Sequence, residues 1–215
     1  MGTSQDGAKA AARWRAGDAV WLDHATLAER DLEWLRPVRR LTLWAVKTPP
    51  DFFRQLGSLE WLDIRGGSGQ SADAVRGCRG LRYLAINQVR GLSNLDAITD
   101  LAKMELLNLY GLPRVRSLPS LSRLANLRRI EAGSLKGIDG MGPLLDAPHL
   151  EELLLVRAVA LAPSDPDRIA THPSLKAFDW FAEDVPDRTW LPVVERVGKP
   201  KTKVMPVEEW FANRA

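Results

Sequence analysis

This 215-residue chain sets little aside for chemistry: it has one cysteine, three histidines and two tyrosines. A lone cysteine, Cys78, excludes an internal disulfide and points to a reducing compartment, so the chain is expected in the cytoplasm. No apolar run approaches the roughly 20 residues that cross a bilayer. The opening MGTSQDGAKAAARWRAGD lacks the apolar segment of a secretory signal, and Asp6 stands where N-myristoylation needs Ser or Thr. No membrane partner is therefore expected. A one-sign charge excess is missing too: 30 Lys and Arg face 27 Asp and Glu. The net charge of +3 is too small and mixed to imply nucleic-acid binding. Hydrophobic residues make up 45% of the chain, enough for one sizeable core. Arg outnumbers Lys by 22 to 8 amid many Ala and Gly, the coding signature of a GC-rich bacterial genome.

The apolar residues recur with a long period. VRRLTL (38–43), LEWLDI (59–64), LRYLAI (81–86), MELLNL (104–109), LRRIEA (127–132), LEELLL (150–155) and LKAFDW (175–180) share the pattern LxxLxL. Their starts are 21 to 25 residues apart. After the strand the apolar positions continue every third residue, as in Val89, Leu92, Leu95, Ile98 and Leu101, a spacing close to a 3₁₀ helix.

This pattern resembles the leucine-rich repeat family, in which each unit of 20 to 29 residues opens with LxxLxL. The resemblance covers residues 38–181 and implies an α/β solenoid, a right-handed horseshoe. It would carry a parallel concave sheet and short 3₁₀ or α segments on the convex side. The units depart from the family at the ninth position, where Val46, Gly67, Val89, Leu112, Leu135, Ala158 and Glu183 replace the usual Asn or Cys. The turn leaving each strand must then be held by other backbone bonds or by water. Neighbouring repeats bury each other's leucines, so the ends need covers. The expected domains are a disordered tail over 1–17 and an N-terminal cap over 18–37, with a helix across 26–35. About seven repeats then span 38–185, and a C-terminal cap and tail span 186–215. That last part contains a helix bearing Trp190, Val193, Val194 and Val197, a basic turn GKPKTK (198–203), and VEEWF (207–211), which packs Trp210 or Phe211 back on the body.

Side chains alternate along a strand, so positions two, three, five and seven of each unit face the concave side. The second column reads Arg39, Glu60, Arg82, Glu105, Arg128, Glu151 and Lys176, alternating strictly in sign. This ladder suits solubility and modest cohesion. Seven cations, Arg129 among them, balance seven anions over the exposed columns, which disfavours a phosphate backbone. In the third and seventh columns Trp44, Trp61, Tyr83, Leu106 and Tyr110 make an apolar patch of the kind that supplies binding hot spots. The alternative is that these rings pack on cap segments or on one another.

Residue types for catalysis do not converge at any recognisable spacing. His149 and His172 sit before successive strands and could pair on a metal, but no Cys or clustered carboxylate joins them, and His24 lies apart. The glycines of RGGSGQ (65–70) lack the Lys-Ser/Thr of a phosphate loop. The leading expectation is a non-catalytic, intracellular protein-binding module without cofactor or metal, monomeric on its own, that holds a partner protein on its concave face. A toxin-immunity protein or enzyme inhibitor acting by occlusion is the alternative. A hydrolase or metal enzyme stands third, opposed by the missing site.

Overall fold

The computed structural model describes residues 7–15 and 17–214. Nine strands form one sheet in sequence order: β1 (Arg13–Arg15), β2 (Ala19–Asp23), β3 (Arg40–Trp44), β4 (Trp61–Arg65), β5 (Tyr83–Asn87), β6 (Leu106–Tyr110), β7 (Arg129–Leu135), β8 (Glu152–Val159) and β9 (Ala177–Phe181). β1 runs antiparallel to β2, and β2 to β9 are all parallel. The register aligns the repeats position for position: Leu41, Leu62, Leu84, Leu107, Ile130, Leu153 and Phe178 form one row. All seven are at most 1% exposed.

Each return path is short. Segments of 3₁₀ helix at Phe53–Gln55, Asp73–Val75, Asp96–Asp100 and Leu144–Asp146 carry the convex side, as the every-third-residue spacing demands. Among the described residues true α-helix is confined to α1 (Gly7–Ala10), α2 (Leu32–Leu35), α3 (Asp165–Thr171), α4 (Asp187–Val197) and α5 (Val207–Ala212). α4 buries Val197 and lays Trp190, Val193 and Val194 against the core after the last strand.

The turn that lacks an Asn ladder is made by backbone conformation. The residue just past β2 to β6, and a corresponding one in β7 and β8, is left-handed: His24, Ala45, Gly66, Gln88, Gly111, Ser134 and Arg157 have φ of 48° to 66°. For a side-chain-bearing residue that conformation costs about 1–2 kcal/mol. Backbone bonds offset it, because the turning N–H donates to the next strand's last carbonyl, Ala45 to Arg65 at 2.7 Å and Gln88 to Tyr110 at 2.7 Å.

Three expectations change at this level. The N-terminal stretch is more regular than a tail and a helical cap, since β2 stacks in register on β3 and the covering helix over 26–35 is a 3₁₀ turn, Glu29–Asp31, followed by α2. Val20 and Leu22 stand 21 residues before Leu41 and Leu43, but Gly17 takes the place of the first leucine and hides the unit. The expected disordered segment includes α1 and β1; its residues 1–6 and 16 lie outside the described residues. Ile64, expected in the core, is only half-buried. Where the next repeat carries Val89 and Leu92, this one carries Gly67 and Gly69, leaving an apolar void of about 150 Å³ beside Ile64, Phe53 and Val75.

Candidate partner-binding face

Strand alternation puts Trp61, Tyr83 and Leu106 side by side at the heads of β4, β5 and β6. The indole of Trp61 meets Tyr83 edge-on with ring centres 5.8 Å apart. Trp44 and Tyr110, in the seventh column, end β3 and β6 and lie three strands apart, roughly 14 Å at ordinary strand spacing. The five expected binding residues therefore form one cluster of three with two outliers. Tyr110 lies against Gly133, where an added Cβ would come within 2.6 Å of the ring and 2.8 Å of the Val156 carbonyl.

The central cluster is covered by the chain itself. Gly198 ends α4 in a left-handed cap, and residues 199–206 then cross from the sheet edge onto the concave face, where α5 lies down. The Phe178 N–H donates to the Pro200 carbonyl (2.9 Å), and Arg129 donates to Thr202 Oγ1 (3.1 Å) and to the Lys203 carbonyl (2.7 Å). Trp210 Nε1 donates to Glu152 Oε1 (3.0 Å), and the Arg214 guanidinium donates to Glu151 (3.2 Å) while lying 4.8 Å over the Trp210 ring. Phe211 packs on Trp61 with ring centres 4.8 Å apart and planes tilted by 33°, and Arg82 lies 5.0 Å over the Phe211 ring. Tyr83, Ala85, Leu106 and Trp210 form a buried cluster separate from the solenoid core.

Several sequence-based expectations are corrected here. Tyr83 and Leu106 are 7% and 1% exposed and pack with Trp210, so the cap-packing alternative holds for them; Leu106 is sealed while α5 is seated, and Tyr83 keeps only a small surface toward the open end of the face. The stretch 198–203 is part of this strap: Thr202 is buried, while Lys201 and Lys203 stay exposed. Arg129, counted among solvent-facing cations, is fully buried and pairs with Glu131 at 2.8 Å and with Glu152. A buried guanidinium is tolerable only when its donors are all engaged, and the strap supplies two of the acceptors. Burial, reinforced by Asp63 and Glu131, pushes the Tyr83 phenol far above its ordinary range. The Asn108 Oδ1 atom on β6 is buried without a donor.

The charge ladder resolves into groups. Arg39 pairs with Glu60 (2.7 Å), Arg82 with Glu105 (2.5 Å), and Glu151 with both Arg128 (3.7 Å) and Lys176 (3.3 Å). Burial works to raise the Glu151 carboxyl, but Arg214 and Lys176 outweigh it and hold it below the usual range.

Toward the N-terminal end the face stays open. A groove of about 540 Å³ lies between β2–β5 and the start of α5, lined by Trp21, Arg40, Thr42, Trp61, Asp63 and Arg65 with Glu208 at its rim. Arg65 lies 5.2 Å over Trp21 and Arg40 5.6 Å over Trp61. Asp63 holds Arg65 at 2.6 and 2.9 Å, and Asp18 holds Arg40 at 2.6 and 3.2 Å. These hydrogen bonds draw the Asp18 carboxyl down and push the Arg65 guanidinium up. Trp44, 38% exposed, stands beside this groove. Trp21 and Arg40 were missed as aromatic–cation partners, although the hidden β2 repeat places Trp21 in the fifth column.

Reactive groups do not gather. Burial pushes the Cys78 thiol up to about 11, away from the thiolate a nucleophile needs. His172 is buried, bonding the Ala147 carbonyl at 3.1 Å and accepting the Ser174 N–H, whereas His149 is exposed, so the two do not share a ligand position. Among the described residues no three His, Cys, Asp or Glu are placed to hold a metal, and no helix is long and apolar enough to cross a membrane.

No protein-family model and no curated protein matches the chain. Solved structures do. Internalin C2 from Listeria monocytogenes strain 4b F2365 superposes with a TM-score of 0.57 at 17% identity, over 77% of this chain and 74% of that one. An internalin, inlF, from the same strain gives 0.54 at 18% identity over 87% of this chain, which spans 56% of that protein's length. Identity this low speaks to fold alone. With eight parallel strands at one per repeat, the chain is a leucine-rich repeat solenoid.

Proposed function

We propose that this solenoid is a non-catalytic, intracellular protein-interaction module whose partner docks on the open N-terminal part of the concave face. The observation that carries the reading is the groove of about 540 Å³ with its two tryptophan–arginine stacks. Trp and Arg are the side chains most enriched where interfaces concentrate their energy. Both arginines are already fixed by carboxylates, so little side-chain freedom remains to be lost on docking. Trp44 and Trp61 keep their expected contact roles, with Trp21, Arg40 and Arg65 added. Tyr83 and Leu106 serve as floor beneath α5, and Tyr110 marks the far margin.

The test is affinity capture followed by quantitative binding to the protein retained. The Trp21→Ala/Trp44→Ala variant is expected to weaken capture by at least about 2 kcal/mol, roughly 30-fold, while Arg123→Ala on the exposed convex side leaves it unchanged. Equal capture by the tryptophan variant and loss in the convex variant would move the interface off this face.

A further inference from the structure

The strap shows in atomic detail what chemistry the covered half of the concave face accepts. We propose that this half is a peptide groove occupied in cis, and that its external ligand is a segment carrying two adjacent aromatic residues followed, three positions on, by arginine. This rests on the interaction reading above and extends it to a second, closed subsite.

The recognising groups stand on β7 and β8 or at the residue just before β5 and β8, and neighbouring repeats hold them with ion pairs of their own. Glu152 receives the indole N–H, Glu151 receives the Arg214 guanidinium, Arg82 covers the Phe211 ring, and Arg129 grips a peptide carbonyl. Glu151 is held from its sides by Arg128 and Lys176, and Arg129 by Glu131. The strap in turn is built like a ligand. It adds no strand to the sheet, and its residues 199–206 take no regular structure. Val204 projects into solvent, 70% exposed.

The energetics favour exchange. The cluster of Tyr83, Ala85, Leu106 and Trp210 is distinct from the solenoid core, so lifting the strap opens no repeat-to-repeat packing. α5 has six residues, too few for a helix to persist alone in water, so it exists only while its aromatic pair is seated. Tethering gives the strap an effective concentration on the order of millimolar, which shuts the groove to weak competitors and leaves it open to a partner that brings further contacts.

The probe is a fluorescently labelled synthetic peptide of residues 199–214, read by anisotropy against the full chain. The Trp210→Ala/Phe211→Ala full-chain variant, whose own strap has lost its anchors, is expected to bind the wild-type peptide at least ten-fold more tightly than the unaltered chain does. Glu151→Lys on that background should lower capture, and a peptide with Ala at both aromatic positions should not bind. Should the double variant not fold, a protease site inserted at the exposed Gly198 of the otherwise unaltered chain serves instead: after cleavage the labelled peptide exchanges in and the Ala-substituted peptide does not. Equal capture by the unaltered and double-variant chains, capture of the Ala peptide, or no capture by either preparation overturns the proposal. Since the probe is the strap alone, failure here leaves the Trp21/Trp44 result standing, and failure there leaves this one.

Discussion

His172 is the residue at which stability meets pH. Burial lowers its pKa, with the Ala147 carbonyl working in the opposite direction, and its Nδ1 accepts the Ser174 N–H, so the fold holds the ring neutral. A folded-state pKa below the unfolded value means that the unfolded chain takes up the proton first. The contribution is therefore complete above the unfolded value near 6.5 and is lost as the pH falls through that window toward the lower folded value. Thermal melts at pH 7.5 and 5.0 should show a drop that His172→Gln makes smaller; an unchanged drop would assign the acid limb to other groups. The metal-pair idea was weak in sequence because spacing alone placed His149 and His172 in like phase, whereas their opposite burial depends on the convex turn between them. The left-handed residues were unreadable for a related reason. Ala45, Gln88 and Arg157 carry no turn signature, and only the ladder of carbonyls on the neighbouring strand compels their φ.

At the scale of the element, a repeat is legible where its apolar positions are all filled and illegible where one is not. Seven units declare themselves through an apolar residue at the first, fourth and sixth positions, and β3 to β9 lie there. β2 stayed hidden behind Gly17. The glycine-rich return after β4 acts through what it omits, the side chains that would close over Ile64. A Cβ at Gly69 meets nothing within 4 Å and its φ is not positive, so Gly69→Ala should stabilise by about 0.4–1 kcal/mol. Urea unfolding would check this, and a lowered midpoint would mean that the void holds structure of its own. The patch of Trp61, Tyr83 and Leu106 was readable as neighbours because strand register is periodic. Its cover was not, because α5 owes its position to side chains 58 to 150 residues away in sequence, beyond the reach of any local pattern.

For the whole molecule, both margins of the sheet are kept short: the three-residue antiparallel β1 forms one edge, and at the other the Pro200 carbonyl takes the Phe178 N–H, which blunts the edge against pairing with other chains. The strap also changes how the molecule comes apart. A solenoid holds only nearest-neighbour contacts and frays from its ends like a one-dimensional lattice. Here the last helix returns to touch residue 61 through Phe211, so the final turns cannot fray without releasing the middle ones. Unfolding followed by tryptophan fluorescence and by far-ultraviolet circular dichroism should give coincident transitions for the unaltered chain, and separated, shallower ones for Trp210→Ala/Phe211→Ala. Coincident transitions in both would show that the repeats cooperate without it. A ligand that displaced the strap would then do more than fill a groove: it would cut the long-range link and turn a cooperative body into a row of loosely coupled springs, softest at the end where the strap begins.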